Sequence, residues 1–263
     1  MKNNKWLILF KRLFFPIIIM IFTSIIITSI TELIPYKVLF IKIDFEAIHS
    51  KILIRLIIFF ALLFIFRSIY IKYNSKNKEL IPTSVYGDLP YTFYYLASII
   101  LGIKKINLKS KPIQLQFKIY NNISYFEIIE DKEIPIDDKT KYIIEDNKFK
   151  TNTINLLIGD TYRISINQIP TILKNNRTII INRKNKNDKN RINSNELIKI
   201  ISNIIQENKS TCKVYNLFLY TNPITNRRIY EKFNTCRDGF TINIFKCNNK
   251  FIFEDKGKVS LKL

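Results

Sequence analysis

Two apolar stretches close to the N-terminus limit what this chain can become. Leu13 to Ile30 (LFFPIIIMIFTSIIITSI) carries no charge, and Ile52 to Ile71 (ILIRLIIFFALLFIFRSIYI) carries only Arg55 and Arg67. Each arginine sits near enough to an end for its side chain to reach the headgroup layer. A helix needs roughly 20 apolar residues to cross the hydrocarbon core, and about 17 at the least, so both stretches are long enough. Together they predict a two-helix transmembrane hairpin within residues 1–71, a juxtamembrane linker over 72–80, and a cytoplasmic domain over 81–263. No small-x-small site follows Ile30, so the first stretch reads as a span and not as a cleaved signal. The strictly uncharged part of the second, Leu56 to Phe66, is about half a span, which leaves a re-entrant or interfacial helix as the alternative there.

Basic residues set the expected orientation. Lys2, Lys5, Lys11 and Arg12 precede the first span, and Arg67, Lys72, Lys76 and Lys78 end and follow the second. The loop between them balances Lys37, Lys42 and Lys51 against Glu32, Asp44 and Glu46. Positive-inside bias then predicts a two-pass inner-membrane protein with both termini cytoplasmic and residues 31–51 outside.

The chain has 263 residues, with 42 basic against 21 acidic side chains and a formal charge of +21. Outside the hairpin it is long enough for one compact domain and short for two. So basic a domain favours an anionic partner, whether a nucleotide or the lipids of the inner leaflet. The richness in Ile, Asn and Lys also matches what AT-rich codons encode, which discounts the charge as a signal. His49, the only histidine, falls in the predicted external loop. That removes His-based acid–base chemistry, Ser-His-Asp and Cys-His pairs, and histidine metal sites from the cytoplasmic domain. Cys212, Cys236 and Cys247 show no CxxC spacing.

Period-two patterning predicts strands over Pro112–Tyr120, Ser124–Ile129, Lys141–Ile144, Ile154–Ile158, Tyr162–Ile166 and Thr178–Asn182. Leu89–Ile103 reads as a buried helix opened by Pro90 and covered on more than one side. Ser194–Asn208 reads as an amphipathic helix with a Ser N-cap, and Val214–Tyr220 as a strand inside a covered sheet. Thr225–Phe233 reads as a helix, and Phe240–Cys247 and Lys250–Phe253 as closing strands. The β-α-β-α-β order of the last third predicts an α/β, Rossmann-like, three-layer domain.

Five glycines allow no GxGxxG, Walker or GxSxG motif, and a single histidine allows no HExxH. The expectation is a chain with no catalytic residues, no metal and no cofactor. A carboxylate pair of Asp160 with Glu196 or Glu231 is conceivable, but no spacing asks for it. Three loops carry binding chemistry. Gly159-Asp-Thr-Tyr-Arg163, with Asn167-Gln-Ile-Pro-Thr171 after it, is suited to a purine and a phosphate, or is a plain hairpin turn. Tyr220 to Arg228 leads from a strand end into a helix, which makes Thr221, Asn222 and Arg227 candidate ligand contacts or an ordinary β-α turn. Arg183–Asn195 is a solvated loop or an electropositive lid.

The membrane hairpin, the aromatic helix Tyr91-Thr-Phe-Tyr94-Tyr95-Leu-Ala97-Ser98 and the stretch Ser165-Ile-Asn-Gln-Ile-Pro170-Thr171-Ile-Leu173 resemble the bacterial STING proteins that carry a transmembrane anchor. The architecture is similar, too, to membrane-anchored anti-phage sensors with a CARF-like or SLOG-like domain. The resemblance implies a cyclic or signalling nucleotide held by Tyr94, Tyr95, Arg163, Pro170 and Thr171. It also implies a homodimer or higher homo-oligomer that gathers hairpins to disrupt the inner membrane. Ser98 departs from that family's pattern, because a base-stacking aromatic is expected there. The expected partners are a nucleotide second messenger and membrane lipids, with no nucleic-acid polymer. A structural protein docking a protein partner or anionic lipid is the second reading, and a histidine-free hydrolase the third.

Overall fold

The computed structural model describes residues 5–30, 48–74, 79–80, 89–129, 135–137, 139–184, 192–236, 239–248 and 250–263. The chain divides into two compact units. One comprises Met1–Val85, Thr92–Ile106 and Tyr125–Glu127, and the other comprises Tyr86–Tyr91, Asn107–Ser124 and Ile128–Leu263.

In the first unit, α1 (Lys5–Leu9), a π-turn (Phe10–Phe14) and α2 (Phe15–Ile30) follow one another directly. Helix α3 (Ile48–Asn74) packs on α2. Trp6–Ser29 and Arg55–Tyr73 are long and apolar enough to cross a membrane. Large apolar side chains such as Phe22, Ile26, Phe60 and Phe64 stand exposed on them. The hydroxyls within these helices are satisfied locally: Thr23, Ser24, Thr28 and Ser29 each donate to the carbonyl four residues back. An apolar surroundings requires such internal pairing.

Helix α4 (Tyr91–Leu101) is shorter than the expected 89–103. Gly102, at φ +68°, stops it, and the Ile103 amide turns back to the Ala97 carbonyl at 3.1 Å. Tyr94, Ala97, Ser98 and Leu101 form its buried side, whereas Leu96 is exposed, so its covering is less complete than its composition suggests.

The second unit is built on a six-stranded mixed sheet. Its strands are β3 (Tyr142–Asp146), β4 (Thr153–Gly159), β5 (Arg177–Arg183), β6 (Val214–Tyr220), β7 (Thr241–Cys247) and β8 (Phe253–Lys262), in the order β3-β5-β4-β6-β7-β8. The four central strands run parallel, and β3 and β8 close the edges antiparallel. Two short strands, β1 (Lys105–Asn107) and β2 (Glu127–Ile129), form a separate ribbon.

Helices lie on one face of the sheet. Phe233 of α7 (Pro223–Cys236) sets its ring 5.0 Å from that of Tyr215 on β6. Both α5 (Ile113–Asn121) and α6 (Asn195–Glu207) pack on α7. Ser194 caps α6 by accepting from the Leu197 amide at 3.2 Å, and Leu197, Ile198, Ile201, Ile204 and Ile205 form the buried stripe, as the pattern predicts.

On the opposite face a three-layer domain would place further helices. Among the described residues it is the β4–β5 connection that covers this face, through Ile164, Ile169 and Leu173 packed on Leu157, Phe218, Phe245 and Phe253. The connection forms two short 3-10 turns, Ile166–Gln168 and Thr171–Leu173, with Pro170 between them. Proline lacks the amide that a continuous helix would need there.

A row of polar side chains crosses the same face near the amino ends of the strands. Thr178, Asn155, Asn216, Asn243 and Ser260 lie directly opposite one another on β5, β4, β6, β7 and β8. Their side chains are hydrogen-bonded in sequence at 3.1, 2.9, 2.9 and 2.6 Å. A one-residue slip of any strand would break the row, so it fixes register beyond what apolar alternation fixes.

Four strand expectations are corrected. Pro112–Tyr120 is helix α5, with Pro112 preceding its first turn. In so short a stretch, Leu115 and Ile119 are four apart and Phe117 and Tyr120 three apart, so the alternation fits a helix face equally well. Gln116, which alternation would place in solvent, is buried and donates to the Leu108 and Lys111 carbonyls at 3.2 and 2.9 Å. Among the described residues Tyr162–Ile166 pairs with no strand; Asn182 fixes it instead, accepting from the Ile164 amide and donating to the Ile164 carbonyl, both at 2.9 Å. Ser124–Ile129 begins as a 3-10 turn and becomes strand only at Glu127. The closing strand is Phe253–Lys262, well beyond the expected Lys250–Phe253, because Ile242, Asn243 and Ile244 on β7 provide its pairing edge.

Edge strand β3 is tied down by Arg177. Its guanidinium reaches Asp146 through Nε and Nη2 at 3.2 and 2.7 Å, and Asn208 at 2.6 Å. Burial acts to raise the Asp146 pKa, but the Arg177 guanidinium and the Lys148 amide outweigh it and hold the carboxyl below its usual range. With the folded pKa depressed, the stabilisation is complete above the unfolded value near ~4 and fades as pH falls through the folded one. Asp146→Asn is therefore expected to cost ~1 kcal/mol at neutral pH. The difference from the parent should shrink in unfolding titrations carried below about pH 4.

Candidate functional site

The site follows from the connectivity of the sheet. After β4 the chain crosses one face to β5, and after β6 it crosses the other face through α7 to β7. The carboxyl ends of the adjacent parallel strands β4 and β6 are therefore the topological switch point of the sheet, the region where ligands settle in open α/β sheets. Residue 159 is glycine there because a β-carbon would lie 2.1 Å from Asn182 Oδ1 and 2.7 Å from the Tyr162 carbonyl. The end of β4 is latched to β6: the Asp160 and Thr161 amides and the Thr161 hydroxyl all donate to the Tyr220 carbonyl, at 3.1, 2.8 and 2.9 Å.

Asp160 occupies the end of β4 with its side chain fully buried. Arg183, at the end of β5 and 4% exposed in its side chain, donates to Asp160 Oδ1 at 2.9 Å. The Tyr142 hydroxyl of β3 donates to the same oxygen at 2.8 Å. Burial, and then the Asp160 charge, push the Tyr142 hydroxyl well above the normal tyrosine range, so it remains a donor at any physiological pH. Asp160 Oδ2 has no hydrogen-bond partner among the described residues. Glu231 pairs with Arg227 at 2.9 Å and not with Asp160, so no pair of carboxylates forms between them.

Arg163, on the same connection, lines a cleft of ≈ 660 Å³ with Glu145, Ile164, Ser165, Ile166, Gln168, Ile180 and Asn182. Gln168 organises its rim. Its Oε1 accepts from the Ser165 amide at 2.8 Å, and its Nε2 donates to the Tyr220 hydroxyl at 3.3 Å and the Phe251 carbonyl at 3.0 Å. The cleft thus brings together the Arg163 guanidinium, the Glu145 carboxylate and the Ser165 hydroxyl, while the Gln168 and Asn182 amides that line it are bonded within the fold, so Arg163 is its group for an anion.

The residues expected from the sequence divide among different roles. Arg163 is exposed on the cleft. Pro170 and Thr171 begin the second 3-10 turn of the same connection, and Thr171 is exposed. Asn222 is buried and structural: it accepts from the Thr225 amide at 2.9 Å to cap α7 and donates to the Ile192 carbonyl at 2.7 Å. Thr221 donates to Asn226, and Arg227 is held on the surface of α7 by Glu231. Tyr94 and Tyr95 belong to the first unit, where Tyr94 is buried and the Tyr95 ring meets Tyr125 edge-on at 5.0 Å. Most of the expected electropositive loop, 185–191, lies outside the described residues.

Tyr142 carried no such role in the sequence, and Arg183, expected as the first residue of the Arg183–Asn195 loop, is instead the last residue of β5 and paired with Asp160. The available signal was Arg183 itself, a charge placed directly after Thr178-Ile-Ile-Ile-Asn182 where the buried strand ends.

The profile of the SMODS- and ubiquitin system-associated 2TM effector domain, SUa-2TM, matches residues 2–259. No curated protein matches the chain. Among solved structures, two of the Acinetobacter baumannii Cap4 SAVED/CARF-domain containing receptor are similar. The one with the cyclic trinucleotide 2'3'3'-cAAA is 9% identical at a TM-score of 0.45, over 65% of this chain and 44% of that one. The one with 3'3'3'-cAAA is 11% identical at 0.45, over 65% and 42%. The chain therefore spans less than half of either receptor.

Proposed function

This chain belongs to the SUa-2TM effector domain family, and from that premise we propose that it is a membrane-anchored receptor and effector for a cyclic or otherwise signalling nucleotide in anti-phage defence. In this reading α2 and α3 form a two-pass hairpin in the inner membrane with both termini cytoplasmic, supported by their exposed apolar surfaces and by the basic flanks. The mixed-sheet unit receives the nucleotide at the carboxyl ends of β4, β5 and β6 and in the adjoining cleft. Arg163 takes a phosphate there, and Ser165 and Gln168 address polar edges. Thr171 and Pro170 belong to the second 3-10 turn of the connection and Arg227 to α7, and none of the three lines the cleft.

Ligand binds without being transformed and with no cofactor. It favours a homo-oligomer in which the hairpins gather and breach the lipid. Such a switch requires only that the assembled form bind the ligand better than the resting one, by roughly 5 kcal/mol for near-complete conversion. The observation that carries the proposal is the Arg163 cleft on the β4–β5 connection, which leaves the sheet at the topological switch point of β4 and β6, in a chain of a two-span effector family.

Thermal unfolding of the full chain in detergent, against cyclic di- and trinucleotides with linear controls, tests the binding step. At a hundredfold its dissociation constant, a ligand specific for the folded form stabilises by about 2.7 kcal/mol. A selective upward shift is expected. A flat response across the panel, from protein with an intact melting transition, would refute the receptor and favour a docking protein for anionic lipid or a protein partner.

A further inference from the structure

We propose that Tyr162 and Phe251 form a stacking platform for a nucleobase at the mouth of the Arg163 cleft; the inference rests on the nucleotide-receptor reading and deepens it. The two rings are in contact, with centroids 6.0 Å apart, yet each remains largely open to solvent, at 58% and 53% exposure. Beneath them the buried Tyr220 ring lies 6.2 Å from each. Such a pair leaves apolar area in water that packing within the fold does not use.

The backbone gives the second observation. Phe251 has φ +58°, a left-handed conformation that a bulky side chain disfavours. Surrounding bonds enforce it. The Phe251 carbonyl accepts from the Tyr220 hydroxyl and from Gln168, both at 3.0 Å, and its amide donates to the Asn248 carbonyl at 3.1 Å. Asn248 Oδ1 accepts from the Lys250 and Ile252 amides at 2.9 and 3.0 Å. A glycine would occupy this turn without strain, so the ring is held in place at a conformational cost. Strain of this kind collects where a side chain must be presented in advance.

Gln168 connects the platform to the cleft, since it holds the Phe251 carbonyl and lines the cleft with Arg163 and Ser165. A protein partner would ask for a continuous apolar strip; here Lys250 precedes Phe251, and Arg163 and Ser165 follow Tyr162, with charge and hydroxyl, although exposed Ile252 adds an apolar neighbour. A flat π-surface joined to an anion fits these groups together: the ring pair takes the face of the base and Arg163 takes its phosphate.

Calorimetric titration of the full chain in detergent with cyclic tri-adenylate and cyclic di-guanylate, and with ribose 5-phosphate as a base-free probe, tests the platform. The parent is expected to bind a cyclic nucleotide far more tightly than ribose 5-phosphate. Tyr162→Ala and Phe251→Gly should each weaken that binding roughly 10- to 100-fold, while Tyr162→Phe and Phe251→Tyr should retain it. Phe251→Gly suits the left-handed turn, and a melting transition equal to the parent's separates its loss of binding from misfolding. Parent-like binding by both Tyr162→Ala and Phe251→Gly would overturn the platform and leave the receptor standing. Absence of binding by the parent itself would overturn both.

Discussion

Arg183→Met destabilises the mixed-sheet unit by about 3–5 kcal/mol, because it leaves the Asp160 carboxylate buried without its cation. The guanidinium is the only positive group hydrogen-bonded to Asp160 among the described residues, and the carboxylate has no exposed surface through which water could replace it. Tyr142 still donates at 2.8 Å, which offsets part of the loss but supplies no charge. For a unit of this size the corresponding fall in melting temperature is roughly 10 °C. The double variant Asp160→Asn, Arg183→Met should recover most of that, since removing both charges removes the penalty of the orphan. A double variant as unstable as the single one would mean that the side chains matter for their packing and not for their pairing.

The second large effect belongs to the asparagine row. Asn216 accepts from Asn243 and donates to Asn155, each at 2.9 Å, and both Asn216 and Asn155 are buried. Asn216→Ala strands one donor and one acceptor and opens a small cavity between them, at a cost of about 2–5 kcal/mol. Replacing Asn155 and Asn216 together by leucine should cost less per site, because the bond between them loses both partners at once, while Asn243, Leu173 and Thr178 each lose one. Denaturant unfolding of the full chain in detergent, followed by far-ultraviolet circular dichroism, distinguishes the two variants. Equal losses per site would show that the row is not a coupled network.

The central strands and α6 could be read from the sequence because burial and periodicity agree there. Val214–Tyr220 is apolar nearly throughout and lies between neighbours on both edges, and the face of α6 repeats at helical spacing from a serine cap. Where the two periods coincide over nine residues, as in α5, alternation could not choose, and tertiary burial of Gln114 and Gln116 decided for helix. The asparagines were visible yet uninterpreted. Asn155, Asn216 and Asn243 each stand third in their strand, as Thr-Ile-Asn, Val-Tyr-Asn and Thr-Ile-Asn, a coincidence that becomes meaningful only when β4, β6 and β7 are placed side by side.

The candidate site shows the same limit. Arg163 and the strand-end loops were candidates on local chemistry alone, and of these candidate contacts Arg163 lines the cleft. The capping duty of Asn222 was hidden, because an asparagine before a helix looks the same whether it faces a ligand or the helix's own amides. Phe251 and Tyr162 are 89 positions apart by their residue numbers, and only the turn after β7 brings their rings together.

The most direct measurement reconstitutes the full chain into vesicles of anionic lipid loaded with a self-quenched dye and follows release on adding cyclic oligonucleotides. Release that saturates with one cyclic nucleotide, is absent with its linear form, and is lost in Tyr162→Ala is the expected result. Release that is independent of ligand, or intact vesicles in the presence of a nucleotide that demonstrably binds, would contradict a ligand-gated membrane effector.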